Sequence, residues 1–151
     1  GGGNYSGGTL QFPCPGFSRI SSRFGSRGAP LAGGSTYHKG VDLAAPMGTS
    51  ILAAESGTVI AVSKTCTHNY GKSKSCRCGG GFGNYVMVNH GNGLVTVYAH
   101  CTSINVGLGE KVTRGETIAT VGSTGASSGF HLHFGTLLNG TYVDPAPYIG
   151  I

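Results

Sequence analysis

The chain has 151 residues and a formal net charge of +5, from ten lysines and arginines against five acidic residues. That length is sufficient for one domain with its own core and is short for two. No stretch approaches the roughly eighteen consecutive apolar residues of a membrane-spanning helix, so we expect no membrane span in this segment.

Composition favours strands over helices. Glycine is the commonest residue at 29, and β-branched residues cluster in short runs between glycines, a pattern typical of short strands joined by tight turns. We therefore predict an all-β fold, with a flexible glycine-rich tail at 1–15 and a single domain at 16–151. The start, "GGGNYSGGTL", has no basic and apolar signal segment, and we expect a mature or excised domain.

The positive charge predicts attraction to polyanions, of which nucleic acid and an anionic cell wall are two. The sequence contains no recognition helix, no platform of stacking aromatic residues and no dense basic run. We therefore expect no nucleic-acid partner, and we expect the chain to be a monomer.

Alternating apolar runs between turn residues predict the strands in chain order. The segment 16–28 reads as a strand and loop, and a β-hairpin is centred on Asn92 and Gly93 in "NYVMVNHGNGLVTVYAH". A short strand follows the turn at Arg114 and Gly115, another carries "HLHF" after a glycine- and serine-rich loop at 122–129, and a proline-stiffened tail ends the chain. Further strands are predicted near 40–44, 50–54 and 58–63.

Five cysteines predict disulfides in an oxidising, extracytoplasmic place, with one thiol left over; they are Cys14, Cys66, Cys76, Cys78 and Cys101. We expect one bridge from Cys66 to Cys76 or Cys78, and another between Cys14 and Cys101. The alternative for the loop is a structural zinc site formed by its cysteines with His68. Its C-x-C spacing departs from the usual C-x-x-C knuckle.

Two of the six histidines stand in "GFHLHFG" at 129–135. On a strand, Phe130, Leu132 and Phe134 share one face, while His131 and His133 share the other. One face is suited to a core and the other to chemistry. The alternative is a surface strand with its polar residues turned to solvent.

A second pair of candidate ligands is His38 and Asp42 in "HKGVD". Gly40, Val41 and Pro46 argue against a helix, and a straight strand would separate the two Cα atoms by about 13 Å. The chain must therefore bend between them, and Gly40 permits the bend. The alternative is an ordinary strand of alternating polarity.

Together the two motifs predict a metal site, because zinc takes three or four ligands from segments distant in sequence. If His38, Asp42 and one histidine of the pair hold a metal, the second histidine and His100 remain to move protons. His100 ends a hairpin strand on the face of Leu94, Thr96 and Tyr98, where a solvated or capping residue is the alternative. His90 and His68 are predicted to have no functional role. The signature H-E-x-x-H is absent, and no glutamate stands beside a proposed ligand.

These residues carry a family resemblance. "HKGVD", "YAHC" and "HLHF", in this order and with "GTSILAAESGTVIAV" and "KVTRGETIATVGSTG" between them, resemble the lysostaphin-type, or LytM-type, zinc endopeptidases, which cut peptides of bacterial peptidoglycan. The similarity extends over roughly residues 16–147. It implies a small antiparallel β-sheet fold with a groove across the metal site.

The resemblance also implies a role for each candidate residue. His38, Asp42 and His133 would bind one Zn2+ per chain, and His131 and His100 would assist catalysis. One histidine would accept the proton of the attacking water, and the other would stabilise the oxyanion or protonate the leaving amine. The order of these roles stays open.

The implied function is an extracytoplasmic zinc metalloendopeptidase, secreted or associated with the cell wall, whose partner is bacterial peptidoglycan. Glycine cross-bridges and D-amino-acid stem peptides are both candidate substrates. Three alternatives remain: a non-catalytic binding or scaffold module of the same fold, a carrier domain of the biotinyl or lipoyl type around Lys111, and an unrelated zinc hydrolase such as an amidase. The insert at 66–81 is either a groove wall or edge decoration.

Overall fold

A computed structural model describes residues 9–26, 37–71, 78–125, 127 and 129–151. In these ranges the chain forms short strands, a 3-10 helix at Cys78–Gly81 and a helix α1 at Ala146–Ile149. The strands are β1 Arg19–Ser22, β2 Gly25–Ser26, β3 Tyr37–His38, β4 Val41–Ala44, β5 Ser50–Leu52, β6 Gly57–Ser63, β7 Tyr85–Gly91, β8 Leu94–Ala99, β9 Cys101–Ile104, β10 Lys111–Val112, β11 Thr117–Val121, β12 His131–Leu138 and β13 Thr141–Val143.

The strands form three sheets in which every named pair is antiparallel. The largest sheet has the order β1-β4-β12-β8-β7-β6-β10, and β13 pairs with β12 beside this path. A smaller sheet has the order β5-β11-β9, and β2 pairs with β3. The predicted all-β antiparallel fold is confirmed. No helix of the described ranges has the length and apolar character needed to cross a membrane.

The core receives side chains from the two larger sheets. Leu43, Leu132 and Phe134 of the largest sheet and Ile51 and Ile118 of the smaller one are fully buried. The predicted core face of β12 therefore holds for Leu132 and Phe134. It fails for Phe130, which is 39% exposed because β12 begins one residue later, at His131.

The predicted division into a tail at 1–15 and a domain at 16–151 stays a prediction, and residues 1–8 lie outside the described ranges. Residues 9–15 lie against the domain. Leu10 is buried and its N–H donates to the carbonyl of Tyr148 at 2.8 Å. The N–H of Gln11 donates to the carbonyl of Ala54 at 2.9 Å.

The predicted hairpin is present as β7 and β8. At its tip Asn92 has φ 52° and Gly93 has φ 82°, the left-handed pair of dihedrals that a two-residue turn of type I′ requires. This turn matches the twist of the two strands and sets their register, which places Thr96 opposite Val88.

A chain of hydrogen bonds occupies the core behind this hairpin, and it gives His90 a structural place. His90 Nδ1 donates to the carbonyl of Ser56 at 3.0 Å, so its Nε2 accepts from the Thr96 hydroxyl at 2.7 Å. The Tyr98 hydroxyl then donates to Thr96 Oγ1 at 2.7 Å and accepts from the N–H of Ala54 at 2.9 Å. His90, Thr96 and Tyr98 are fully buried, so the face of β8 read as the more polar one lies inside the protein.

We expect Thr96→Val to lower the free energy of unfolding by about 1–3 kcal/mol, because His90 Nε2 loses its donor and the Tyr98 hydroxyl its acceptor. Denaturant titration measures the change. The matched control is Thr117→Val, at an exposed strand position, which is expected to change the free energy by less than about 0.5 kcal/mol. Equal effects of the two substitutions would contradict the assigned network.

Burial also makes His90 a source of acid sensitivity. Burial lowers its pKa below the usual 6.5, so below that pH the unfolded chain binds a proton that the folded chain does not. The contribution of His90 to stability is therefore present above about pH 6.5 and is lost as the pH falls toward the lowered pKa. Wild type should lose more unfolding free energy than His90→Gln between about pH 7.5 and about pH 5.5, and equal losses would contradict this assignment.

The predicted disulfides are not present among the described cysteines. Among the described residues no disulfide joins Cys14 to Cys101 or Cys66 to Cys78. Cys76 lies outside the described residues. Burial raises the pKa of the Cys14 thiol to about 11 and that of Cys101 to about 12, and such thiols behave as small apolar side chains.

Candidate metal centre

The register of two strands brings Asp42 and His133 together. β4 pairs with β12 so that Asp42 lies directly opposite His133, and directly opposed residues point to the same face of a sheet. His133 Nδ1 lies 3.1 Å from Asp42 Oδ1. His131, two residues earlier on the same face, places its Nε2 at 3.5 Å from the same oxygen.

His38 reaches this pair across a bend in the chain. It ends β3, and its Nε2 lies 2.9 Å from Asp42 Oδ1 and 3.1 Å from His133 Nδ1. The predicted bend at Gly40 is present between β3 and β4. The glycine is needed for a reason other than the predicted one: its φ is not positive, but a Cβ there would overlap the carbonyl of Phe134 in β12 and lie 3.0 Å from His133 Cε1.

We expect Gly40→Ala to force β12 away from β4, lowering the free energy of unfolding by about 1–3 kcal/mol and zinc affinity about tenfold or more. Chelator competition and denaturant titration measure the two effects. Gly107→Ala is the matched control, since a Cβ at Gly107 meets nothing within 4 Å. If both variants bound zinc as wild type does, the close approach would not matter to the site.

Three backbone carbonyls orient three of the histidines. Because a carbonyl oxygen only accepts hydrogen bonds, each histidine Nδ1 facing one carries the proton, and Nε2 of the neutral ring keeps its lone pair. The three bonds run from His38 to Arg23 at 2.9 Å, from His131 to Gly129 at 2.9 Å and from His100 to Thr124 at 2.6 Å.

His100 approaches the site from a left-handed turn. It follows β8 with φ 64°, a conformation that costs a non-glycine residue about 1–2 kcal/mol. The prediction that it continues the alternation of β8 is therefore wrong, because the turn takes the chain out of the strand. Its N–H donates to the carbonyl of Phe82 at 2.8 Å. Its ring centroid lies 4.7 Å from that of His131 and 5.9 Å from that of His133.

The charges of the site follow from burial and pairing. Burial alone would raise the pKa of Asp42, but the neighbouring His131, His133 and His38 outweigh it and hold that pKa well below its usual range. Burial lowers the pKa of His133 and, more strongly, of His100. The carboxylate is therefore ionised and these imidazoles are neutral, which is the protonation state that metal ligands need.

Three donor atoms converge in a way that fits a cation. His38 Nε2, Asp42 Oδ1 and His133 Nδ1 lie within 3.1 Å of one another, and all three residues are buried. The lone pair of His38 Nε2 faces a carboxylate oxygen, an arrangement that a positive ion between them stabilises. Tetrahedral zinc separates nitrogen and oxygen ligands by about 3.3–3.5 Å, so the donors need to spread by only a few tenths of an ångström.

Three protein ligands leave a fourth zinc position for water or substrate. The buried Nε2 of His133 has no hydrogen-bond partner among the described residues, so the ring makes its polar contacts through Nδ1, toward Asp42 and His38. The side chains of Asp42 and His131 are 11% and 13% exposed. Solvent therefore reaches the centre on the side of His131.

The structure brings together all five residues singled out in the sequence: His38, Asp42, His100, His131 and His133. Their individual roles stay predictions. Sequence reasoning missed Phe82, whose ring centroid lies 5.3 Å from that of His133, and the three orienting carbonyls. No sequence signal marks such carbonyls, because every residue has one.

The sequence profile described as "Peptidase family M23" matches residues 36–145, which include all five residues of the centre. The chain belongs to peptidase family M23. The predicted resemblance to lysostaphin-type peptidases is thereby confirmed.

Two curated relatives are similar over most of this chain. The "DD-carboxypeptidase/endopeptidase Mpg" of Neisseria meningitidis serogroup B is 39% identical over 129 residues, covering 85% of this chain and 26% of the relative. The "Peptidoglycan DD-endopeptidase ShyC" of Vibrio cholerae is 38% identical over 130 residues, covering 85% and 27%. The chain thus spans about a quarter of the length of these two relatives.

Two solved structures share the fold. A "zinc containing peptidase" from Vibrio cholerae superposes with a TM-score of 0.71 and 32% identity over 90% of this chain and 39% of that one. The catalytic domain of lysostaphin from Staphylococcus simulans superposes with a TM-score of 0.67 and 28% identity over 86% and 90%. The M23 fold of this chain therefore has experimental counterparts.

Proposed function

We propose that this chain is the peptidase domain of a zinc-dependent peptidoglycan endopeptidase that acts outside the cytoplasm. The observation that carries the proposal is the convergence of two further imidazoles, His100 and His131, on the buried set of His38, Asp42 and His133. A metal centre with no catalytic role does not require these extra histidines. Membership of family M23 supports a peptidase.

His38 Nε2, Asp42 Oδ1 and His133 Nδ1 would hold the zinc ion. When bound, zinc acts as a Lewis acid that polarises a peptide carbonyl and makes water a stronger acid. The bend at Gly40 and the pairing of β4 with β12 keep the three donors close before metal binding, so little conformational entropy is lost when the ion binds. The zinc named in the Vibrio cholerae structure agrees with this donor set.

His131 and His100 would handle the protons of the reaction. Each donates through Nδ1 to a carbonyl and presents an Nε2 lone pair that can accept a proton from water. The imidazolium so formed then donates that proton to the leaving amine. The second imidazole would bind the developing oxyanion only with a proton on its own Nε2, because Nε2 of the neutral ring has no hydrogen to donate. His131 is the partly exposed member of the pair, which suits the histidine that exchanges protons with solvent.

The proposed substrate is a peptide cross-link of bacterial peptidoglycan. The Vibrio cholerae relative is named a peptidoglycan DD-endopeptidase, and the Neisseria relative is named a DD-carboxypeptidase/endopeptidase. These names favour a bond between D-amino acids of the stem peptides over a glycine bridge. The net charge of +5 favours attraction to an anionic wall polymer.

We expect His131→Ala to reduce amine release from purified peptidoglycan by about 10²–10⁴-fold while leaving the zinc content unchanged, since His131 is not one of the proposed ligands. Asp42→Ala should lose both the activity and one equivalent of zinc, because its carboxylate faces both ligand histidines. Amine labelling and elemental analysis measure the two quantities side by side.

Mass analysis of the released fragments identifies the bond. A cut between D-amino acids supports the proposal, whereas a cut between glycan and peptide would make the protein an amidase. Full activity of His131→Ala would refute the role of that histidine. Bound zinc without amine release from several wall types would favour a latent enzyme or a binding module.

A further inference from the structure

A second group of metal-ligating side chains lies in the segment between β6 and β7. Cys66 Sγ is 3.6 Å from His68 Nδ1, and Cys78 Sγ is 3.4 Å from the same nitrogen. The three donor atoms all lie within 4.8 Å of one another. None of these residues belongs to the centre formed by β4 and β12.

The two sulfur–nitrogen distances are close to those between zinc ligands. With Zn–S of about 2.3 Å and Zn–N of about 2.0–2.1 Å, tetrahedral zinc separates a sulfur and a nitrogen ligand by about 3.6 Å. His68 Nδ1 faces both sulfur atoms, as the nitrogen of a histidine ligand does in a mixed cysteine and histidine zinc site. A metal ion would bind all three donors at once.

We propose that Cys66, His68 and Cys78 form a second, structural zinc site. Thiolate and imidazole together are the donor set that favours zinc over magnesium or calcium. The three donors occupy three corners of a tetrahedron, and water or a further side chain takes the fourth. The site does not depend on the peptidase activity proposed above.

The two cysteines are held in place by bonds that do not involve their sulfur atoms. The N–H of Cys66 donates to Asn84 Oδ1 at 2.8 Å, and Asn84 Nδ2 donates back to the Cys66 carbonyl at 3.0 Å. Asn84 is buried. The carbonyl of Cys78 accepts the N–H of Gly83 at 2.8 Å. These bonds hold the main chain of both cysteines in place before a metal binds, which favours affinity.

The segment that holds the proposed zinc ligands contacts the peptidase centre through Phe82. Phe82, four residues after Cys78, accepts the N–H of His100 through its carbonyl and places its ring next to His133. A metal at Cys78 would fix the start of this short connection. It would hold the Phe82 support in place without touching the reacting groups.

The same segment contacts the loop before β12 on the other side. Asn69 Oδ1 accepts the N–H of Ser123 at 2.7 Å. The Ser123 hydroxyl lies 2.8 Å from Ser127 Oγ, which lies 3.2 Å from His131 Nδ1. Asn69 directly follows the proposed ligand His68, so a metal there would restrain the segment on this side as well.

Zinc content of the whole chain tests the proposal. We expect about two zinc ions per wild-type chain, about one in His68→Ala and in Cys78→Ser, and about one in Asp42→Ala, which retains the cysteine site. Cys14→Ala is the matched control, since this buried thiol lies outside the cluster, and should keep both ions. Far-ultraviolet circular dichroism checks that each variant is folded.

Cobalt distinguishes the two centres without relying on activity. Thiolate-to-cobalt absorption in the near ultraviolet can come only from a site with sulfur ligands, and the centre of His38, Asp42 and His133 has none. The band should persist in Asp42→Ala and disappear in His68→Ala and Cys78→Ser.

One zinc per wild-type chain that is lost in Asp42→Ala, with no sulfur band, would overturn the second site. So would a disulfide between Cys66 and Cys78 found by peptide mass analysis of the protein as purified. One zinc that is lost in His68→Ala but kept in Asp42→Ala would support the second site and refute the proposed ligands of the peptidase centre. The proposed peptidase centre and the proposed second zinc site can therefore be refuted independently of each other.

Discussion

The pairing of β4 with β12 is the constraint on which the rest of the site depends. It places Asp42 directly opposite His133, with His131 on the same face of the sheet. A slip of one residue would turn every side chain of β12 to the opposite face, exchanging the histidines with Leu132 and Phe134. The apolar core therefore protects the chemical centre, because the register that buries Leu132 and Phe134 is the register that aligns the ligands.

This constraint explains how much could be predicted from the sequence. The hairpin at Asn92 and Gly93 and the alternation in "HLHF" are local patterns, and both were confirmed. The meeting of His38, Asp42 and His133 was expected because two weak motifs and a family resemblance agreed. The strand order that brings these three residues together cannot be predicted from any single segment of the sequence.

Other features could not be predicted because they depend on tertiary contacts. His100 ends the alternation of β8 because it adopts a left-handed conformation. No residue of "VYAHC" indicates this turn. The bend at Gly40 is present as expected, but the glycine is required there by its close contact with Phe134, which belongs to a strand far along the chain. The five cysteines favoured disulfides by count, whereas the structure turns Cys66 and Cys78 toward His68.

The carbonyls that orient His38, His100 and His131 have a consequence for how this protein tolerates change. A side-chain partner for each histidine would be lost by one substitution, but a carbonyl survives any substitution that preserves the local backbone. The residues at Arg23 and Gly129 can therefore change identity while the imidazole tautomers stay as they are. Thr124 differs, because its buried hydroxyl also accepts the N–H of Asn84 at 3.0 Å. This robustness to mutation depends on the conformation of the main chain, so alanine scanning of side chains would not detect it.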